Sequence, residues 1–206
     1  MSKVGNETRQ RILSVARELS LKQGYISTPI DEVIEKSGIT KGSFFHHFPN
    51  KQALCIALIE EFSTLESRLM NGSLEKAKKL SKDPLQQLLI FIGLIQERYE
   101  EPKEDYIGCL FASYSYQNQL EHKEVKDLIT GTLNQWKNQL DELIQAVLKK
   151  YPPTNEIKTE ELAEMFLVTI EGAYVMSRIM DDTSIMRAHL QQYKNYLETL
   201  FQNSTH

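Results

Sequence analysis

The stretch Thr28-Pro29-Ile30-Asp31-Glu32-Val33-Ile34-Glu35-Lys36-Ser37-Gly38-Ile39-Thr40-Lys41-Gly42-Ser43-Phe44-Phe45-His46-His47-Phe48-Pro49-Asn50-Lys51 decides how this chain reads. Thr28 before Pro29 marks a helix start. With Asp31 three residues on, it resembles a capping box in which Asp replaces the usual Glu. The helix so opened buries Ile30, Val33 and Ile34 and ends at Ser37-Gly38, where glycine takes positive φ at little cost. Thr40 then caps a second short helix, Lys41 to His47, which Pro49 stops. Asn50 caps the helix that begins at Lys51. Two short helices joined by a tight turn form the geometry that sets the second helix into a DNA major groove. A plain helical hairpin in a core has the same spacing, so the side chains must separate the two.

They favour DNA. Thr28 and Thr40 each begin a helix, and their N–H groups and hydroxyls suit phosphate oxygens. Lys41 and Ser43 project from the first turn of the second helix, where side chains reach base edges. Gly42 permits close approach to a duplex, and Lys51 can add a charge-assisted phosphate contact. His46 and His47 are adjacent, and neighbours on a helix diverge by about 100°. With no third ligand close in sequence, no metal site is expected there.

Outward from this stretch, helix signals dominate and strand signals are almost absent. A first helix spans about Glu7 to Lys22, with Ile12, Leu13, Ala16 and Leu19 as its apolar stripe and Gly24 at its end. The helix from Lys51 is expected to reach about Met70, because Asn71-Gly72 reads as a helix end. Asp83-Pro84 opens another, to about Tyr99, and Pro102 to Asp105 is a polar break. A further helix is expected from Ile107 to Leu120. A long one follows over Glu124 to Lys149, broken by Tyr151-Pro152-Pro153. The last two span Thr159 to Met180 and Ser184 to Gln202.

The expectation is an all-α fold of about nine helices: a helix-turn-helix domain over residues 1–50, then a helical regulatory and dimerisation domain over 51–206. No run of apolar residues is long enough for a membrane span. The polar residues Met1 to Gln10 lack a signal core, and two cysteines 54 positions apart form no metal or redox motif. A cytoplasmic chain without a cofactor and without membrane association fits best.

A net charge of -4 taken whole argues against a nucleic-acid partner. Divided, it does not. Residues 1–51 hold eight Lys and Arg against five Asp and Glu, a net +3, so the remainder carries −7. A basic head stands on an acidic body.

At this point the residues resemble a known family. Arg11-Ile12-Leu13, Gly24-Tyr25, Thr28 to Val33, Ser37 through Phe48 and Lys51 look like the N-terminal domain of TetR/AcrR-family transcriptional regulators, over about residues 8–58. The resemblance implies that Thr28, Thr40, Lys41, Ser43, His47 and Lys51 contact DNA. It implies that Phe44 and Phe48 pack the recognition helix onto the first helix. Phe45 stands where the family usually has Tyr, whose hydroxyl contacts a phosphate. That contact should be missing or supplied by His46.

The body reads as a dimerising sensor. The helix Leu162 to Met180 is apolar nearly all round, so it should be buried on more than one face. The next helix repeats Met186, Leu190, Tyr193, Leu197 and Leu200 at bundle spacing. Together they are expected to form half of a four-helix homodimer interface, which the family resemblance also implies. Two heads would then read a palindromic operator in double-stranded DNA. A small-molecule effector is expected among Phe62, Phe91, Tyr114, Tyr116, Trp136 and Phe166, each of which also suits plain core packing. Cys109 follows Gly108 at a helix start. It reads either as a thiol sensor or as a small buried hydrophobe. Cys55, on the apolar face of its helix, should be inert.

The leading reading is a repressor whose effector draws it off its operator. Two other classes remain open: a helical adaptor that binds protein, and a small all-helical enzyme. No phosphate loop, His-x-x-x-His pair or nucleophile elbow supports catalysis.

Overall fold

The computed structural model describes residues 3–99, 108–115 and 122–202. Among the described residues it contains nine helices and no strand. These are α1 (Lys3–Gln23), α2 (Ile30–Ser37), α3 (Lys41–His47), α4 (Lys51–Leu80), α5 (Pro84–Glu97), α6 (Leu110–Ser115), α7 (Lys123–Lys150), α8 (Thr159–Met180) and α9 (Ser184–Gln202). The all-α reading holds, and α8 and α9 have the expected limits. Of the helix expected over Ile107 to Leu120, Ile107 and residues 116–120 lie outside the described residues, as does Tyr116.

The chain forms two compact units. The first comprises Met1–Leu65 with Ile107–Gly131, and the second Glu66–Tyr106 with Thr132–His206. The first unit therefore takes in more chain than residues 1–50, and α4 and α7 each have residues in both units.

In the first unit, α1 buries Ile12, Leu13, Ala16 and Leu19, the stripe its spacing announces. Gly24 ends α1 with φ +84°, its N–H donating to the Ser20 carbonyl at 2.9 Å. α6 packs on α1. Tyr114 of α6 lies with its ring centroid 4.8 Å from that of Tyr25, and Phe111 meets Phe62 edge-on at 5.0 Å. The Tyr25 hydroxyl donates to the Lys51 carbonyl, joining the end of α1 to the start of α4.

In the second unit, α9 packs on α5 and α8. Phe91, Phe166 and Tyr193 form a chain of ring contacts at 5.6 and 5.7 Å through these three helices. The Tyr193 hydroxyl donates to the Leu162 carbonyl at 2.8 Å. Asp83 caps α5 by accepting from the Gln86 N–H at 2.9 Å. Its other oxygen takes Lys150 Nζ at 2.5 Å and the Tyr151 hydroxyl at 2.6 Å. One carboxylate thus ties the start of α5 to the end of α7.

Two expectations about the helices need correction. Asn71-Gly72 does not end α4. Met70, Leu74 and Ala77 continue the buried stripe past it, and Asn71 Oδ1 accepts from Gln139 Nε2 at 2.9 Å. Burial and that hydrogen bond outweigh the low helix propensity of Gly72. On α2, Val33 is buried but Ile30 and Ile34 are only half-buried. On α8, expected to be buried on more than one face, the single chain itself buries one side, through Leu162, Phe166 and Ala173. Met165, Val168, Met176 and Ile179 are exposed on the single chain, Val168 and Ile179 at 68% and 69%. Their spacing of 3, 8 and 3 residues puts them on one face of the helix.

Candidate nucleic-acid interface

The α2–α3 junction has the form its residues dictate. Gly38 ends α2 in the left-handed region, φ +61° and ψ 39°. Its N–H donates to the Glu35 carbonyl at 3.0 Å and that of Ile39 to the Ile34 carbonyl at 3.4 Å, the paired bonds of a Schellman motif. No Cβ at Gly38 would meet an atom within 4 Å, so backbone conformation alone asks for glycine there. Thr40 then caps α3, its hydroxyl oxygen accepting from the Ser43 N–H at 3.1 Å. The Thr40 O–H proton is left to donate outward.

α3 divides cleanly into two faces. Phe44 and Phe48 are buried. The Arg9 guanidinium of α1 stands 5.4 Å from the Phe48 ring centroid, fastening the end of α3 to α1. Lys41, Gly42, Phe45 and His46 are exposed, and Ser43 and His47 half-buried. Phe45, 40% exposed, meets Phe44 edge-on at 5.3 Å. A Cβ at Gly42 would meet nothing within 4 Å, so the helix presents bare backbone there.

Lys41 Nζ lies 3.2 Å from Asp31 Oδ1 on α2. His47 Nδ1 is buried with no hydrogen-bond partner, and its ring meets that of His46 edge-on at 5.3 Å. Burial first, then the charges of His46 and Arg9, hold the His47 imidazole below its usual pKa. Asn50 caps α4 through Oδ1 on the Ala53 N–H at 2.8 Å. Lys51, just inside that helix, donates to the Ile26 carbonyl at 3.0 Å and stands 5.0 Å from the Tyr25 ring centroid. Desolvation lowers its pKa, against an opposing influence of Cys55.

Thr28 stands elsewhere than expected. Pro29 is the N-cap of α2 and makes no side-chain cap bond. Thr28 is 2% exposed, with its hydroxyl donating to the Gly24 carbonyl at 2.8 Å and its N–H to the Tyr25 carbonyl at 3.1 Å. A local side-chain-to-backbone bond has outcompeted the cap. No capping box forms, since Asp31 turns to Lys41 instead. In this conformation Thr28 offers no free donor to a phosphate.

The candidate effector contacts are divided between the units. Phe62, Cys109 and Tyr114 belong to the first, Phe91, Trp136 and Phe166 to the second. Phe91 and Phe166 are wholly buried against each other. Trp136 donates through Nε1 to Ser67 Oγ at 2.9 Å. Cys109 immediately precedes α6 and is 6% exposed, and neither it nor Cys55 forms a disulfide. Burial pushes the Cys55 thiol up to about 11, against Tyr114 and Lys51, which lower it.

Several polar pairs of the second unit had no signal in the sequence. Glu66 and Arg98 form a two-pronged ion pair at 3.2 and 3.3 Å, and the Tyr99 and Tyr174 hydroxyls lie 2.9 Å apart. The partners are 32 and 75 positions apart, beyond any local pattern. The second unit also carries a groove of about 380 Å³ with Leu89, Ile90 and Leu94 on its apolar side and Lys76, Lys194 and Glu198 among its charged lining. None of the candidate aromatics among the described residues lines it. Among the described residues there is no cluster of His, Cys, Asp and Glu suited to a metal ion.

Residues 12–58 match the model of bacterial regulatory proteins of the tetR family, and residues 84–193 that of the tetracyclin repressor-like C-terminal domain. The chain belongs to the TetR family. The resemblance carried by Thr28 to Lys51 thus extends well into the body. Among relatives, the transcriptional regulator AcuR of Cereibacter sphaeroides is 25% identical over 82% of this chain and 76% of its own. The transcriptional repressor DhaR of a Mycobacterium species is 22% identical, over 83% and 82%. Among solved structures, regulatory protein TetR from Rhodobacter sphaeroides superposes with a TM-score of 0.75 at 22% identity, covering 91% of this chain and 97% of that one. The reduced form of NemR from E. coli superposes at 0.72 and 17%, covering 92% and 97%. These likenesses fix the fold. TetR-family regulators bind DNA and act as dimers. No described helix is long and apolar enough to cross a membrane.

Proposed function

We propose that the chain is a ligand-responsive transcriptional repressor that binds a palindromic operator as a homodimer, in the cytoplasm. The carrying observation is the exposed face of α3. Lys41, Gly42, Phe45 and His46 point away from a core formed by Phe44 and Phe48, on a helix held by the Gly38 turn and the Thr40 cap. Lys41 and Ser43 read base edges, while Thr40, His47 and Lys51 meet phosphates. Lys51 must exchange its bond to the Ile26 carbonyl for a phosphate oxygen, which a charge-assisted contact favours.

Dimerisation runs through α8 and α9. On α8, Met165, Val168, Met176 and Ile179 supply an apolar face that the single chain leaves in water, whereas Met186, Leu190, Tyr193 and Leu197 of α9, expected to line the seam, are already buried against their own chain. A small-molecule effector binds one conformer preferentially and shifts the population away from the one that fits DNA. The burial of Cys109 supports a small molecule over a thiol-reactive compound. Thiol labelling of the native protein that modified Cys109 and released DNA would reverse that choice.

Footprinting on the DNA flanking the protein's own gene tests the main reading. The expected result is a protected palindrome with half-sites about one helical turn apart, or a multiple of that. Affinity should fall steeply with salt. Absence of protection there and in a random-sequence pool would leave the adaptor as the better reading.

A further inference from the structure

Lys41 opens α3 on its exposed face, and its ammonium is not independent. Nζ lies 3.2 Å from Asp31 Oδ1, in the first turn of α2. The neighbouring carboxylate does not compete for it. Glu32 pairs with Lys36 at 3.2 Å and accepts from Gln23 Nε2 at 2.8 Å. Two helices joined by one tight turn therefore bring an acid and a base together at the end of α3 where base edges are read.

A lysine alone is a flexible point charge with three rotatable donors, which suits a phosphate better than a base edge. Asp31 changes both properties. It engages one donor and so orients the other two. Its charge also offsets that of the ammonium, weakening the pull toward backbone phosphates. Two adjacent donors find two adjacent acceptors in the major groove only on guanine, at O6 and N7. Adenine sets an amino group beside its N7, cytosine presents a donor, and thymine a single acceptor beside a methyl.

We propose that Asp31 is a specificity-determining residue that acts through Lys41. It positions the ammonium to read a guanine in each half-site and keeps it off the phosphates. This rests on the reading of α3 as the recognition helix. Both side chains are well exposed, at 66% and 79%, so the pair contributes little to stability and its removal leaves the fold intact.

The test is selection from a random-sequence duplex pool by the full-length protein and its Asp31→Asn, Asp31→Glu, Lys41→Ala and doubly substituted forms. Affinity for an unselected duplex is measured across salt in parallel. The unsubstituted protein should enrich a guanine that Lys41→Ala no longer selects. Asp31→Asn should weaken that preference about fivefold, corresponding to about 1 kcal/mol, at that position alone. It should also tighten binding to the unselected duplex and steepen the salt dependence by about one phosphate contact. Asp31→Glu should keep the preference, and Asp31→Asn should do nothing further once Lys41 is alanine. The proposal is overturned if Asp31→Asn keeps both the guanine preference and the salt slope, or if Lys41→Ala still selects the guanine. If the unsubstituted protein enriches no sequence, the DNA reading itself fails and takes this inference with it.

Discussion

His47 and Phe45 show how single side chains on α3 set measurable properties. The unpartnered, buried Nδ1 of His47 favours the neutral ring in the free protein. A folded pKa below the unfolded value of about 6.5 makes its contribution to stability fully present above that pH, and loses it as pH falls through the folded value. Acidification should therefore destabilise the first unit, and His47→Gln should flatten that decline in thermal melts. A phosphate oxygen beside the ring favours the protonated form instead. Operator affinity of the unsubstituted protein should then rise on going from about pH 7.5 to 6 more than that of His47→Gln. Phe45 makes a simpler case. Exposed on the α3 face proposed to meet DNA, it lacks the hydroxyl of the tyrosine that the family usually has there. Phe45→Tyr should tighten operator binding by about 1 kcal/mol, roughly fivefold, in a fluorescence titration.

Among the elements, the α2–α3 turn separates two glycines that look alike in sequence. Gly38 has φ +61°, so Gly38→Ala should cost about 1–2 kcal/mol of stability though its Cβ meets nothing. Gly42 is helical, so Gly42→Ala should hold or raise the melting temperature while weakening DNA binding, by placing a methyl where the duplex approaches. The Asp83 tie answers to acid. Burial opposes its ionisation, but Lys150, Tyr151 and the Gln86 N–H outweigh that and hold the carboxyl at about 2, below its usual 3.8. Its stabilisation is present above about pH 4 and is lost as pH falls toward 2. Asp83→Asn keeps a capping oxygen but loses the ion pair. It should cost about 1 kcal/mol at neutral pH and flatten the acid limb of the stability curve. These elements also mark what a sequence discloses. Gly38, Thr40 and Asn50 act within a few residues of themselves, as Asp83 does in capping α5, so these roles are legible; the tie from Asp83 to Lys150 and Tyr151 is not. The place of Thr28 is not legible, because its hydroxyl has two local partners to choose between and it settles, buried, on the Gly24 carbonyl. The continuation of α4 past Gly72 depends on burial of Leu74 and Ala77, and the Glu66–Arg98 pair on residues distant in the chain. Neither leaves a local pattern.

For the whole molecule, the charge division and the α8 face bear on one property. The −7 carried by residues 52–206 is repelled by a duplex, so binding strength must come from the basic head. The phosphate contacts proposed for one head are few, from Thr40, His47 and Lys51. Two heads joined in a dimer gain by linkage, since the second half-site is met at high effective concentration, a gain of about 10²–10⁴. The joint should therefore be sensitive out of proportion to its size. Val168 and Ile179, more than two-thirds exposed on the single chain, lose no core contact when changed. Val168→Glu and Ile179→Glu should each keep the helical circular-dichroism signal and the melting behaviour of an isolated chain. Each puts a carboxylate into the face proposed to become dry on association, which costs several kcal/mol unless paired. Sedimentation should then show a monomer at micromolar concentration, and affinity for a full palindrome should fall about a hundredfold or more. Affinity for a single half-site should be unchanged, because α3 is untouched. A dimer that persists in both variants would place the interface elsewhere than on this face of α8.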